Sequence, residues 1–217
     1  MSETNPAFTG FPVAALDFYD DLEMDNTKSF WAAHKHVYEE SVRLPMLALT
    51  GALAGEFGQA KVFRPYRDVR FAKDKTPYKT AQGAIVNVGA ATGYYVEVGA
   101  PGVRVGGGYY HAGGPDLARI RAAIDTEHSG EELASLVAEL RADGFEIRGE
   151  QLKTTPRGYD AGHPRIDLLR YRSLSLGRSY GFDKLIHGPE LLTRVRDDWR
   201  SLRPLVEWIR VRVDALG

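Results

Sequence analysis

One stretch of the sequence, Lys61–Thr80, concentrates side chains that bind anions. Its cations outnumber its acids by five, although the formal net charge of the whole chain is −1. The acids are Asp68 and Asp74, and the candidate ligand residues are Arg64, Arg67, Arg70, Lys73, Lys75, Tyr78 and Lys79. Arginine presents a planar fork of donors that matches carboxylate or phosphate oxygens. An aspartate beside arginine stays ionised, and could act as a catalytic base or hold a divalent cation. The stretch therefore predicts an enzyme site for a phosphorylated or other anionic small molecule.

A second stretch, Gly149–Pro164, has no hydrophobic periodicity and contains two prolines and three glycines. Long irregular loops within compact domains are commonly functional. We predict that Lys153, Arg157 and Tyr159 bind the same ligand and that His163 transfers protons. This prediction fails if the two stretches lie more than about 15 Å apart, beyond the span of one small-molecule pocket. The alternative is a wrapping loop whose polar groups cap helices.

The elements around the basic stretch can be predicted from residue type and periodicity. Aromatic and β-branched residues from Val62 to Phe71 predict a strand, with Arg64, Tyr66, Asp68 and Arg70 on one face. Because proline lacks an N–H, Pro65 predicts an edge or a bulge. Three further short strands are predicted, at Ala84–Val88, Tyr94–Val98 and Val103–Gly106, joined as antiparallel hairpins, and a last strand follows around Leu174–Leu176. Tyr95 and Glu97 then share a face, which is one candidate for the face that carries the arginines.

Helical spacing of apolar residues predicts the remaining elements. They are Val13–Met24, a helix from Thr27 capped by Asn26, a segment kinked or restarted at Pro45 and running to Phe57, Pro115–Asp125, Glu131–Ala142, Arg165–Tyr171, and Pro189–Leu216 with a kink at Pro204. Strands in the middle and helices at both ends indicate one α+β domain over residues 1–217, with a central antiparallel sheet packed by the N- and C-terminal helices.

Four motifs carry a family resemblance. They are F-x-G-F-P, D-N-T-K-S-F-W, R-P-Y-R-D-V-R-F-A-K-D-K-T-P-Y-K-T and L-K-T-T-P-R-G-Y-D-x-x-H-P, and the resemblance that they carry runs from Phe8 to about Val211. Together they resemble the microbial domain of unknown function 2461 family. The resemblance implies no activity, cofactor or catalytic residue. Members often have Asn-Asn where this chain has Asp25-Asn26.

Composition narrows the classes of protein. No apolar run is long enough to cross a bilayer, and no secretory signal is recognisable at the N-terminus, so we expect a cytoplasmic protein that contacts no membrane. The absence of cysteine excludes thiolate chemistry and disulfides. The histidines show no metal-binding spacing, so no metal site is predicted, and the cofactor and oligomeric state stay open.

Two other functions are compatible with the same residues. A nucleic-acid-binding module would use the cations on phosphates and Tyr66, Phe71, Tyr78 and Tyr159 to stack on bases, with strong salt dependence. A non-enzymatic scaffold would bury the arginines and aspartates as a structural network. In that case Arg64→Ala or Asp68→Ala would unfold the protein, since breaking a buried pair costs about 3–5 kcal/mol. On a solvated strand, in contrast, ordinary ion pairs would contribute only about 0–1 kcal/mol each.

Overall fold

The computed structural model describes residues 7–213 and begins with helices. Helix α1 spans Val13–Met24 and α2 spans Lys28–Val37. The cap of α2 is Thr27, whose hydroxyl accepts the backbone N–H of Phe30 at 3.2 Å. The predicted cap, Asn26, was therefore wrong by one residue, and its amide has another partner described below.

A π-helical turn, Tyr38–Arg43, joins α2 to α3, Leu44–Phe57, without a break. Proline lacks the N–H that would complete an α-helical bond, and its ring crowds the carbonyl four residues earlier. The wider turn ends two residues before Pro45, whose nitrogen cannot donate the α-helical bond. The sequence predicted an irregularity at this proline, and the structure shows that the backbone stays helical through it.

The strands form one six-stranded antiparallel sheet. They are β1 Lys61–Val62, β2 Ala81–Gly89, β3 Thr92–Gly99, β4 Gly102–Tyr109, β5 Glu146–Arg148 and β6 Leu174–Gly181. Their order across the sheet is β1-β2-β3-β4-β6-β5, with Lys61 opposite Ile85 and Glu146 opposite Gly177. The hairpins were predicted, but the strand expected up to Phe71 ends at Val62.

The second half of the chain supplies the other helices. They are α4 Gly114–Asp125, α5 Glu127–Ala142, the short α6 Ile166–Leu169, a 3-10 turn at Lys184–His187, and α7 Glu190–Val213 with Pro204 in its interior. The end of the predicted last helix, 214–216, lies outside the described residues. The α+β class is confirmed. Across residues 7–213 no helix is both long and apolar enough to span a membrane.

The chain divides into two compact units. The first holds the described residues up to Val86, with Tyr95–Val105 and Ser179–Arg196, and the second holds Asn87–Tyr94, Gly106–Arg178 and the chain from Asp197 onward. In the first unit, Tyr38 reaches Gln82 of β2. In the second, Trp199 of α7 stacks on Tyr94 of β3 with ring centroids 5.4 Å apart. Within each unit, therefore, helices pack on the sheet; that the whole chain is one domain stays a prediction.

Candidate anion-binding site

The basic stretch leaves the sheet after β1 and forms a loop with a narrow neck. At the neck Tyr66 and Tyr78 form an isolated antiparallel bridge. The N–H of Arg67 donates to the carbonyl of Pro77 at 2.9 Å, and the N–H of Lys79 donates to Pro65 at 2.8 Å. Prolines on both sides of the neck can accept but not donate, so the ladder cannot extend into a longer hairpin. We call residues 67–77 the basic loop.

Asn26 fastens the neck to the helical layer of the same unit. Its side-chain amide donates to the carbonyl of Tyr78 and accepts the N–H of Tyr78, both at 3.1 Å. The Tyr78 ring stacks on Trp31 with centroids 4.2 Å apart and planes 8° from parallel. Only 5% of Tyr78 is exposed. This side chain therefore anchors the loop, and the ligand role that the sequence suggested for it stays a prediction.

A second buried contact holds the strand that enters the loop. The Tyr38 hydroxyl donates to the side-chain oxygen of Gln82 at 2.6 Å. The Gln82 amide then donates to the carbonyls of Phe63, at 2.8 Å, and Gly83, at 2.9 Å. Burial raises the pKa of Tyr38 to about 12, so its hydroxyl stays a donor at neutral pH. These bonds fix the backbone on which the Phe63 ring is mounted.

Both aspartates of the basic loop form ion pairs. The Arg70 guanidinium donates two hydrogen bonds to the Asp68 carboxylate, of 2.9 and 2.6 Å. Asp74 accepts the N–H of Thr76 at 2.9 Å and pairs with the guanidinium of Arg67. The pKa of Asp68 is lowered mainly by Arg70, and that of Asp74 mainly by the bonds from Thr76. Carboxylates that hold protons this weakly make poor general bases, which speaks against the catalytic role predicted for the two residues.

The pairs in this loop are not buried. The Arg70 side chain is 77% exposed and that of Asp68 is 49% exposed. The buried Arg–Asp network proposed as an alternative from the sequence is therefore wrong for this pair. Arg64, Lys73 and Lys75 are also exposed, and Lys75 donates to the carbonyl of Val69 at 2.9 Å.

A cavity of about 440 Å³ lies where the base of the loop meets the sheet of the first unit. It is lined by Phe63, Arg67, Lys79, Thr80, Ala81, Gly83, Tyr95 and Glu97. Arg67 and Lys79 therefore share a cavity with the Tyr95–Glu97 face of β3. The sequence left open whether Tyr95 and Glu97 share a face with Arg64 and Arg70, and the structure instead gives them Arg67 as a neighbour in the cavity lining.

Tyr95 and Glu97 of β3 and Arg104 of β4 are bonded to one another. The Tyr95 hydroxyl donates to the Glu97 carboxylate at 2.5 Å, and Arg104 pairs with the same carboxylate at 2.6 Å. Burial, followed by the Glu97 charge, raises the pKa of Tyr95, so this phenol stays protonated. The site residues predicted from sequence did not include these three residues. The signal was present: a charged residue interrupts each of two apolar strands, Glu97 between valines and Arg104 between valines.

Lys79 contributes a second cation to this cavity, and within residues 7–213 it has no counter-ion. Its ammonium nitrogen lies 5.1 Å from the centroid of the Phe63 ring. Among the described residues no carboxylate lies within ion-pair distance of it. Burial lowers the pKa of Lys79, and the nearby Arg64 charge lowers it further. Arg104 neutralises Glu97, and Asp74 neutralises Arg67. The cavity therefore carries a net positive charge, which comes from Lys79.

The second predicted stretch belongs to the other unit, and its polar groups serve mainly that unit's backbone. His163 pairs through Nε2 with Asp125 at 3.2 Å, while its Nδ1 accepts the N–H of Arg165 at 3.0 Å. The Arg165 guanidinium donates to the carbonyl of Ile124 at 2.8 Å, at the C-terminal end of α4. A cation there satisfies open carbonyls and complements the helix dipole. The capping side chain, Arg165, lies one residue beyond the predicted stretch, so the alternative that the loop itself caps helices stays a prediction.

The remaining residues of that stretch are placed as follows. Lys153 and Arg157 are exposed, and Tyr159 is half-buried with a pKa raised by burial. The side chain of Asp160 accepts the N–H of Gly162 at 2.6 Å. That Lys153, Arg157, Tyr159 and His163 share a ligand with the basic stretch stays a prediction, because the two stretches belong to different units.

Fold and site together define an α+β protein with a basic loop whose base lines a small cavity. Residues 14–208 match a family of conserved hypothetical proteins, DUF2461, and the chain belongs to that family. The resemblance drawn from the motifs is thereby confirmed. No curated protein and no solved structure matches the chain.

Proposed function

We propose that the protein binds a small anionic molecule, phosphorylated or carboxylated, in the cavity between Arg67 and Lys79. The observation that carries the proposal is the half-buried Lys79 ammonium, which forms no ion pair with any carboxylate in residues 7–213. A cation withdrawn from water without a partner raises the free energy of the folded state. An anion bound beside it offsets that cost and restores the charge balance.

Arg67 is suited to hold the same anion. Its bonds to Asp74 and to the Thr76 hydroxyl, the latter 2.7 Å long, both use Nη1. An arginine has five N–H donors, so Nε and Nη2 remain for a ligand. Because Asp74 and Thr76 fix the guanidinium, little side-chain entropy is lost when a carboxylate or phosphate binds.

The cavity size supports a small ligand rather than a polymer. About 440 Å³ falls in the range of roughly 300–1,000 Å³ that is typical of small-molecule sites. The Phe63 ring and the Tyr95 hydroxyl add one apolar and one polar surface for the rest of the molecule.

A thermal-shift series tests the proposal with inorganic phosphate, phosphate monoesters and dicarboxylates. A ligand at a hundred times its Kd should stabilise by about 2.7 kcal/mol, roughly 5–10 °C for a chain of this size. We expect a shift in the wild type that is lost in Lys79→Gln and in Arg67→Gln. Arg70→Gln is the matched control, because Arg70 lies in the same loop but pairs with Asp68 outside the cavity lining. A shift of equal size in Lys79→Gln would refute the proposal.

One observation favours nucleic acid as a second candidate. Phe71 is 98% exposed in the basic loop, and Tyr66 is 47% exposed at its neck, with Arg70 and Lys73 nearby in sequence. Exposed rings among cations can stack on unpaired bases. Binding of a single-stranded oligonucleotide that weakens steeply with salt, and weakens again in Phe71→Ser, would support this candidate. Equal binding by Phe71→Ser would remove it.

A further inference from the structure

The geometry points to Lys79 as an amine nucleophile that forms a Schiff base with an anionic aldehyde or ketone bound in the cavity. The inference rests on the proposed function, because Arg67 holds the anionic group of the ligand while Lys79 reaches its carbonyl carbon. It goes beyond anion binding, since it assigns a covalent step and a substrate class.

The surroundings of Lys79 set it apart from the other lysines. The chain has eight lysines; seven are exposed, and Lys79 alone is half-buried. Its amine nitrogen lies 5.1 Å from the centroid of the Phe63 ring, Lys79 shares the cavity lining with Arg67, and the charge of Arg64 acts on it. A lysine that is desolvated and placed near cations releases its proton more easily, which is how lysine nucleophiles are activated. The lowered pKa of Lys79 agrees with this placement.

The same cavity supplies a group that can move protons. Tyr95 and Glu97 form one hydrogen-bonded unit in the cavity wall, and Arg104 holds the carboxylate from the other side. The Tyr95 hydroxyl donates to Glu97 in the free protein and can turn its proton to a developing alkoxide when the ligand is bound, while Arg104 keeps the carboxylate in place. An amine, an anion-holding guanidinium and a proton donor are the groups that imine formation needs.

The chemistry balances without an oxidant or reductant. The lone pair of neutral Lys79 forms the C–N bond while the C=O π electrons move to oxygen, which takes the Tyr95 proton. The new ammonium returns a proton to the Tyr95 oxygen, giving a neutral carbinolamine. The carbinolamine hydroxyl is then protonated by Tyr95 and leaves as water as the nitrogen lone pair forms C=N. Loss of the last N–H proton to Tyr95 restores the pair, so amine and carbonyl give imine and water.

Trapping with cyanoborohydride tests the inference. The folded protein is incubated with glyoxylate or with pyridoxal 5′-phosphate, which carry a carboxylate and a phosphate respectively, and with pyridoxal as the probe without phosphate. Peptide mass spectrometry then locates the reduced adducts. We expect Lys79 to be labelled before the exposed lysines, inorganic phosphate to slow this labelling, and Lys79→Arg to lose it. Preference for glyoxylate or for the phosphate-bearing probe over pyridoxal tells which anionic group Arg67 selects.

Lys28→Arg is the control, because Lys28 is exposed at the start of α2, lies outside the basic stretch, and should leave the Lys79 adduct unchanged. Circular dichroism of Lys79→Arg checks that its fold is retained, and Lys79→Gln gives a second variant without an amine. Adducts spread evenly over the exposed lysines, or equal total labelling of Lys79→Arg, would overturn the inference. If phosphate still raises the melting temperature while no Lys79 adduct forms, the covalent step is wrong and anion binding stands. If neither occurs, both proposals are wrong.

Discussion

Replacing Asn26 by alanine should release the neck of the basic loop. The substitution removes two hydrogen bonds to the backbone of Tyr78, each 3.1 Å long. An intramolecular hydrogen bond contributes about 0.5–1.5 kcal/mol, and a buried group left unpaired costs about 1–3 kcal/mol. Since Tyr78 is 5% exposed, water replaces the lost bonds poorly. We therefore expect a loss of about 2 kcal/mol in the free energy of unfolding, or roughly 4–8 °C.

Urea unfolding followed by circular dichroism measures the loss, and amide hydrogen exchange locates it. The N–H groups of Arg67 and Lys79, which close the neck, should exchange faster in Asn26→Ala. Asn87→Ala is the matched control, because the exposed side chain of Asn87 accepts a hydrogen bond from the Tyr110 hydroxyl at 2.8 Å and lies away from the neck. If the two variants lose the same small amount of stability, or if the neck amides keep their protection, the amide of Asn26 does not hold the loop.

Three further predictions concern the backbone and the charges. Gly130→Ala should destabilise the protein in the same urea assay, because an added Cβ would overlap the carbonyl of Ile124 and the Arg165 guanidinium. The control is Gly55→Ala in α3, where the added Cβ has open space and should stabilise the protein by about 0.5–1 kcal/mol. The folded-state pKa of Asp74 lies below its unfolded value, so its contribution to stability is complete above about pH 4 and is lost as pH falls through the folded pKa. Asp74→Asn should therefore flatten the acid limb of a plot of melting temperature against pH. An unchanged acid limb would contradict the pairing. Asp68→Ala should leave the urea midpoint nearly unchanged, since the pair is exposed, and a large drop would restore the buried-network hypothesis.

The N-cap of α2 could not be predicted from local sequence rules. Asn26 and Thr27 are adjacent and both are good N-caps, so the sequence could not choose between them. Thr27 caps the helix because the amide of Asn26 bonds to Tyr78, which lies 52 residues further along the chain. A long-range partner of this kind leaves no mark on the local pattern.

The predicted strand failed for a related reason. Aromatic and β-branched residues favour an extended chain, but a strand also needs a partner with free donors. Pro65 and Pro77 lack N–H groups, so only the bridge between Tyr66 and Tyr78 forms before the chain opens into the basic loop. The face expected to carry Arg64, Asp68 and Arg70 therefore does not exist as a pleated surface.

The sequence by itself determined the elements whose information is local: the amphipathic helices, the glycine-punctuated hairpins, the α+β class and the family motifs. It also located the cations, because charge can be read residue by residue. Tertiary structure alone decided which cations share a cavity with Tyr95 and Glu97, and which pair with Asp68 and Asp74. Those outcomes depend on burial and on contacts between segments far apart in the chain, and periodicity records neither.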